Sequence, residues 1–221
     1  MNYLELCQRL REKVGGAGNI PTAVTGQKGE ALRYVNWINE AWLEIQRSRT
    51  DWRWMHKTVT VNLVPGVMAY SAADLGIANL GSWEVADVKL YDAGVEDEGY
   101  LSPADYDLFK RKYEVGAQVQ GRPTEVSIDA ENRLVFGAVP DKAYTVTLDY
   151  AQRPYDLVDN ADVPDMPIEF HMAIVYLAMQ YVGKFENAPE VVQDGSTQYY
   201  NILERMEVQQ LPPILNAYAM V

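Results

Sequence analysis

Histidine and cysteine, the side chains that most often bind metal ions or act as nucleophiles, are scarce in this chain. The 221 residues include two histidines, His56 and His171, and one cysteine, Cys7. A zinc site usually needs three or four such ligands at close spacing, and these three residues lie far apart in the sequence. We therefore interpret His171 as a packed or interface histidine and Cys7 as a small apolar residue on a helical face.

The remaining candidates for chemistry are clusters of glycines and carboxylates. Gly15, Gly16 and Gly18 follow a predicted helix rather than a strand, which is the wrong context for a phosphate-binding loop. The acids at 96–98 form a solvated loop run. With 31 acidic residues in the chain some pair of carboxylates is always available, so such a pair is almost no evidence for a glycosidase. Four loop acids lack the spacing and the glycine of an EF-hand, and we interpret them as turn formers and caps: Asp156, Asp159, Asp162 and Asp165. We expect a protein that is not an enzyme and needs no metal or cofactor.

The composition indicates a folded, acidic protein. Hydrophobic residues make up 48% of the chain, enough for a sizeable core. The net charge of −12 argues against a DNA-binding face, which usually carries a basic patch. A single cysteine excludes an internal disulfide and fits a reducing compartment. We expect neither a signal peptide nor a membrane span, because no apolar run is long enough.

Two amphipathic helices are predicted at the start of the chain. Apolar residues recur at spacings of three and four in residues 2–14 and 27–48. Trp52, Arg53 and Trp54 follow the second helix and allow two interpretations. They form an anchor at a subunit contact, where tryptophan and arginine are enriched, or a core cap between helix and sheet. We favour the core cap, because tryptophan dominates buried area wherever it lies.

From His56 the hydrophobic period changes from 3.6 to 2, which predicts strands. The alternating segments are residues 58–63, 83–91, 124–128, 133–136 and 144–150. Residues 92–99 are predicted as an acidic loop. Ser102 is expected to cap a short helix with Pro103 at its first position. Residues 56–163 are thus predicted to form a β-domain, an antiparallel sandwich or small barrel, with one short helix inserted.

A helix predicted over 167–185 is apolar on nearly every side, with Pro167 suited to its first position and Asp165 to its cap. Such a helix has to be buried nearly all round. Helices of the same chain, neighbouring copies of the protein, or both must cover it. Three of its residues are candidates for a subunit interface or for the core: Phe170, Ile174 and Leu177.

The chain closes with a helix predicted over 190–208 and a tail over 211–221. Gly195 is expected to mark a kink or a late start of that helix. The tail begins with two prolines, so it cannot continue the helix, and it is apolar and uncharged. We favour docking of this tail on a partner over packing against its own domain. The predicted fold class is α+β: residues 1–55 and 164–210 form a helical bundle that encloses the β-insert.

The order of these features resembles a known family. A helix ends in AWLEIQRSRTDWRWM, a β-region closes with VPDKAYTVTLDYAQRPYDL, a bridge ends in VPDMPIEFHMAIVYLAMQY, and the last helix contains STQYYNILERM. This layout resembles the head-to-tail adaptor, or connector, proteins of tailed bacteriophages. It is similar to the adaptors that short-tailed phages place beneath the portal, including those called tail tubular protein A.

The resemblance implies a structural virion protein in the neck between head and tail, assembled in the host cytoplasm. Copies would form a ring, usually of twelve, between the portal protein and the next tail or nozzle protein. Genomic DNA would pass through the ring without specific binding, and no membrane is involved. In that family the C-terminal segment commonly reaches the portal, which implies a docking role for Leu211, Pro212, Pro213, Ile214, Leu215, Tyr218 and Val221.

Two other functions remain open on the sequence. In the first, a monomeric module binds carbohydrate or a receptor through exposed aromatics such as Trp83, Tyr91 and Tyr100. In the second, an enzyme such as a lysozyme-like hydrolase uses dispersed acids. The sequence has almost no residues in an arrangement typical of a catalytic or metal site, and this favours the adaptor.

Overall fold

The computed structural model describes residues 1–15 and 20–212, which divide into two compact units. A helical unit contains residues 1–55 and the chain from Pro154, and a β-unit contains His56–Arg153. The described residues form five α-helices: α1 Tyr3–Val14, α2 Gly29–Ser48, α3 Tyr106–Tyr113, α4 His171–Glu186 and α5 Pro189–Gln210. The predicted α+β class, with terminal helices flanking a β-region along the chain, is confirmed.

Helix α4 is the centre of the helical unit. It packs against α1, α2 and α5, and its apolar side chains are buried on nearly every side: Ala173, Ile174, Val175, Leu177, Ala178, Met179 and Val182. The partner helices are amphipathic, so each contributes one apolar face to this core. Helices of the same chain therefore cover most of the apolar surface of α4.

Two glycines allow α4 and α5 to approach closely. A Cβ atom at Gly183 would lie 2.7 Å from Val192 Cγ2 and 2.9 Å from Val192 N. A Cβ atom at Gly195 would lie 2.8 Å from the carbonyl oxygen of Tyr176. The late start expected at Gly195 is wrong, because α5 begins at Pro189 and continues to Gln210. Gly195 is required for packing.

The bridge before α4, residues 154–169, belongs to the helical unit, whereas the sequence placed residues 154–163 with the β-domain. The reason is a set of polar contacts with α2. The buried Gln46 side chain donates to the carbonyl of Tyr155 at 3.0 Å and accepts from its N–H at 3.1 Å. Asn39 accepts from the N–H of Leu157 at 2.9 Å.

The start of α4 also differs from the sequence prediction. A 3-10 turn over Ile168–Phe170 precedes the helix, Pro167 lies ahead of that turn, and no side chain caps either element. His171 holds this region instead. Its Nε2 lies 2.9 Å from the carbonyl oxygen of Met166, and its Nδ1 lies 2.8 Å from the amino group of Met1. A neutral ring with the proton on Nε2 donates to the first and accepts from the second.

Ten strands form the β-unit: β1 His56–Asn62, β2 Ala69–Tyr70, β3 Leu80–Asp92, β4 Asp97–Tyr100, β5 Ser102–Pro103, β6 Gln120–Gly121, β7 Glu125–Ile128, β8 Leu134–Gly137, β9 Val139–Pro140 and β10 Thr145–Gln152. One sheet has the order β1-β10-β3-β4 and another the order β2-β8-β7-β5, and β6 pairs with β9. Both four-stranded sheets contribute to one apolar core, which includes Leu90 and Val146 from the first and Val126 and Phe136 from the second. A shared core between two sheets is the arrangement of a sandwich.

Two predictions in the β-unit are wrong. Part of the acidic segment forms β4, which pairs with the end of β3 (Asp92 with Asp97). Ser102 and Pro103 form a strand parallel to β7 instead of opening a helix. The helix α3 begins at Tyr106, and its cap is Asp105. The Asp105 carboxylate accepts from the N–H groups of Asp107 and Leu108 at 3.0 and 3.3 Å.

Replacement of Gly195 by alanine is predicted to destabilise the protein. Alanine normally improves a helix interior by about 1 kcal/mol, but here its methyl group would meet the Tyr176 carbonyl. We expect a loss of about 1–3 kcal/mol, as for other overpacked sites, measured by urea unfolding followed by circular dichroism. The matched control is Asn201→Ala on the exposed face of α5, which should be neutral or slightly stabilising. A Gly195→Ala protein as stable as the wild type would contradict the close packing.

Burial lowers the pKa of His171 below its usual range, and the Met1 amino group acts in the same direction. The native state therefore keeps this ring neutral at a pH where the unfolded chain binds a proton. The neutral His171 ring therefore contributes fully to stability above the pKa that this histidine has in the unfolded chain, and the contribution declines as the pH falls below that pKa. We expect His171→Gln to be less stable at pH 7.5 but to lose about 1 kcal/mol less than the wild type between pH 7.5 and 5. The free energy of unfolding is measured with urea at both pH values. If the wild type and His171→Gln lose the same amount between pH 7.5 and 5, this role of His171 is refuted.

Candidate functional site

The described residues contain no cluster that could hold a metal ion, and the cysteine is not activated as a nucleophile. Across 1–15 and 20–212, no group of three or more His, Cys, Asp or Glu side chains could hold a metal ion. His56 pairs with Glu84, with Nδ1 to Oε1 at 2.5 Å. Cys7 is fully buried, and burial raises the pKa of its thiol to about 12. A thiol that stays protonated at neutral pH is a packing group.

The clustered acids serve local structure. Asp97 pairs with Arg122. Asp156 accepts from Asn39 Nδ2 at 2.7 Å. Asp162 accepts from the N–H groups of Val158 and Asp159 at 2.7 and 2.8 Å, and these bonds hold the pKa of its carboxyl below the usual range. Asp162 is therefore a turn former, as the sequence indicated, whereas Asp97 and Asp156 contact side chains distant in sequence.

Two surface clefts also lack converging catalytic groups. One, of about 370 Å³, lies in the β-unit beside the end of β1 and is lined mainly by aliphatic side chains such as Val61, Val67 and Leu75. Its carboxylate, Asp74, already accepts from the N–H and the hydroxyl of Ser71 at 2.8 and 2.6 Å. The other, of about 380 Å³, lies in the helical unit against α2 and is lined mainly by polar side chains, among which the Tyr181 hydroxyl already donates to the Glu44 carboxylate.

Trp52 and Trp54 are core residues of the helical unit. Their side chains are buried and stack with ring centroids 4.4 Å apart, and Trp52 Nε1 donates to the carbonyl of Ile45 at 2.9 Å. Arg53 between them is exposed and donates to the carbonyl of Gln209 at 3.4 Å. Burial of both indoles in the core of the helical unit favours a core position over an anchor at a subunit contact.

The three helix candidates lie in the same core. Phe170, Ile174 and Leu177 expose 1%, 0% and 4% of their surface, respectively. Their burial is complete within a single chain, so a neighbouring copy is not needed to cover them. The structure therefore brings these three residues together with Trp52 and Trp54 in one apolar cluster.

Only the start of the tail lies among the described residues. Leu211 is partly buried against the helical core, and its N–H donates to the carbonyl of Glu207 at 3.1 Å. Pro212 is exposed. The other predicted docking residues lie outside the described residues: Pro213, Ile214, Leu215, Tyr218 and Val221.

The three aromatics of the alternative sugar platform do not share a face. Trp83 is buried in the β-unit core, where its Nε1 donates to the carbonyl of Asn132 at 3.0 Å. Tyr91 and Tyr100 are exposed on the outer face, and Tyr100 lies opposite Lys89 across the β3–β4 pair. Trp83 is therefore not part of an exposed platform.

An exposed aromatic cluster on the helical unit was not predicted. The guanidinium of Arg33 lies 4.6 Å from the centre of the Phe185 ring, and Trp37 packs against the same ring with centroids 5.6 Å apart. Phe185 is 56% exposed. The only sequence signal is the pair Arg33 and Trp37 at a spacing of four on α2, and its connection to the end of α4 is purely tertiary.

Comparison with known proteins identifies the family. No curated protein sequence matches the chain. Among the described residues, no helix is long and apolar enough to cross a membrane. A family profile described as SU10 adaptor protein matches residues 1–215, nearly the full length. The chain belongs to the SU10 adaptor protein family and is a phage adaptor-type protein.

Proposed function

We propose that the chain is a structural virion protein that forms a ring, of twelve copies, between the portal protein and the next tail or nozzle protein. The ring extends the DNA channel and lies in the neck of the virion, after assembly in the host cytoplasm. We place it with the adaptors of short-tailed phages, including tail tubular protein A. The observation that carries this proposal is the family match over residues 1–215.

The described surface supports a function through protein contacts. Among the described residues, Cys7 and His171 are buried, His56 is paired with Glu84, and Asp162 holds a turn. Each unit has its own apolar core. A non-enzymatic role is consistent with membership of a structural adaptor family.

The portal-docking segment is the C-terminal tail, which follows α5. The last turn of α5 has no basic residue of its own to offset the negative end of the helix dipole. Two arginines from the segment after α2 supply that charge. Arg49 pairs with Glu207 at 2.6 Å, and Arg53 reaches the Gln209 carbonyl. These contacts hold the helix end from which the tail departs.

Removal of residues 213–221 is predicted to abolish portal binding and leave the fold intact. The deletion keeps Leu211, because this side chain packs against the helical core. We expect an unchanged unfolding midpoint by circular dichroism and no cosedimentation with purified portal rings. The matched control carries residues 213–221 in scrambled order, which preserves length and apolar content and should also fail to bind.

Two outcomes would overturn tail docking. A truncated chain that no longer folds would place the tail in the core of the helical unit. A truncated chain that cosediments with portal rings as the wild type does would place the docking surface elsewhere.

DNA is predicted to pass the ring without specific binding, because the chain carries a net charge of −12. We expect weak affinity for duplex DNA and a nearly flat dependence of the binding constant on salt concentration, measured by fluorescence anisotropy. A steep loss of affinity with increasing salt would mean that several phosphates are neutralised by the protein, and it would contradict this proposal.

A further inference from the structure

The exposed aromatic cluster, defined as Arg33, Trp37 and Phe185, has the composition of an interface hot spot. Tryptophan and arginine dominate binding energy at protein interfaces. Here Arg33 is exposed, Phe185 is 56% exposed, and Trp37 is partly buried beside them. The cluster is already ordered by ring and cation contacts within the chain. Its side chains would therefore lose little conformational entropy on binding.

A second exposed surface lies on the acidic bridge, defined as residues 154–169. The bridge contains five acidic residues and no basic one: Asp156, Asp159, Asp162, Asp165 and Glu169. Three aliphatic side chains on it are exposed, namely Val158 at 63%, Val163 at 54% and Ile168 at 73%.

The acidic bridge is also ordered before any partner binds. Two backbone groups of α1 donate to its carbonyl oxygens, Tyr3 to Asp162 at 2.7 Å and Leu4 to Asn160 at 3.3 Å. The side chain of Asn160 in turn accepts from the N–H of Val24 at 2.7 Å. A loop fixed in this way presents its aliphatic side chains at low entropic cost.

We propose that the exposed aromatic cluster of one copy docks on the acidic bridge of the next copy. The inference rests on the proposed ring and names its subunit contact. Arg33 would pair with bridge carboxylates, while Trp37 and Phe185 cover the exposed valines and isoleucine. The occupant is a second copy because the opposite charges and the apolar surfaces are on the same chain.

The position of the two surfaces fits a ring. Phe185 lies at the C-terminal end of α4, and the bridge ends at its N-terminal end. A helix of 16 residues is about 24 Å long, so the two surfaces do not overlap. A contact between two different surfaces of identical chains is heterologous, and such contacts repeat head to tail until the rotation closes a ring.

Charge reversal on either surface is the test. Arg33→Glu puts a carboxylate against the acidic bridge, and Asp159→Lys with Glu169→Lys puts ammonium groups against Arg33. We expect each variant to self-associate at least about tenfold more weakly than the wild type, since like charges at an interface are costly. Self-association is measured by sedimentation velocity over a range of concentrations, alone and on purified portal rings.

Mixing the two variants in equal amounts is the decisive measurement. In an alternating ring, each reversed surface faces a reversed partner and each native surface faces a native one, so assembly should recover. The matched control is Arg47→Glu, the same charge change at another exposed position of α2, which should assemble as the wild type does. Phe185→Ala should weaken assembly, whereas Tyr200→Ala, which removes another exposed aromatic, should not.

The outcomes separate this interface from the proposed function. Normal assembly of Arg33→Glu, or no recovery in the mixture, would overturn the interface even if portal binding is intact. A wild-type chain that never self-associates, alone or on the portal, would overturn it as well. Wild-type chains that assemble through these surfaces but ignore the portal would support the interface and remove the portal role.

Discussion

Burial of α4 is the constraint on which the helical unit depends. A helix with apolar residues on nearly all sides is stable in water only if other elements surround it. Three amphipathic helices do so, and α5 reaches α4 closely because Gly183 and Gly195 lie at the contact. Each buried leucine, isoleucine or valine side chain contributes about 1.5–3 kcal/mol by leaving water. The core is complete within one chain, and the subunit contact proposed above uses the surfaces at the ends of α4.

The bridge shows how this core determines the outer surface. It has no helix or strand before the 3-10 turn at its end, yet Asn39 and Gln46 of α2 hold its start and α1 holds its turn. Backbone groups that would otherwise lack partners are satisfied by side chains of neighbouring helices. The bridge is therefore an ordered, acidic surface with exposed aliphatic residues, positioned directly ahead of α4. The other end of α4 presents Phe185 beside Arg33.

Particular residues show where sequence patterns succeed and fail. The periodicity of α2 and α4 predicted both helices, although not the 3-10 turn at the start of α4, because helical spacing is a local property. Trp83 and Tyr91 differ by an even number of positions, so they would share a face of a regular strand. A shift in register between β3 and β10 reverses that alternation, so Trp83 points into the core and Tyr91 points outward. Ser102 and Pro103 form a strand because β7 offers a partner, which no local signal indicates.

The sequence alone determined the α+β class, the major helices, the absence of a recognisable catalytic motif and the resemblance to phage adaptors. These conclusions depend on composition, local periodicity and the order of segments, which are all properties of the linear chain. The tertiary structure alone decided that the tryptophan pair lies in the core, that Gly195 is a packing contact, and that Arg33, Trp37 and Phe185 meet at the surface. Each of these depends on residues distant in sequence, which are brought together only when the burial of α4 fixes the positions of its neighbours.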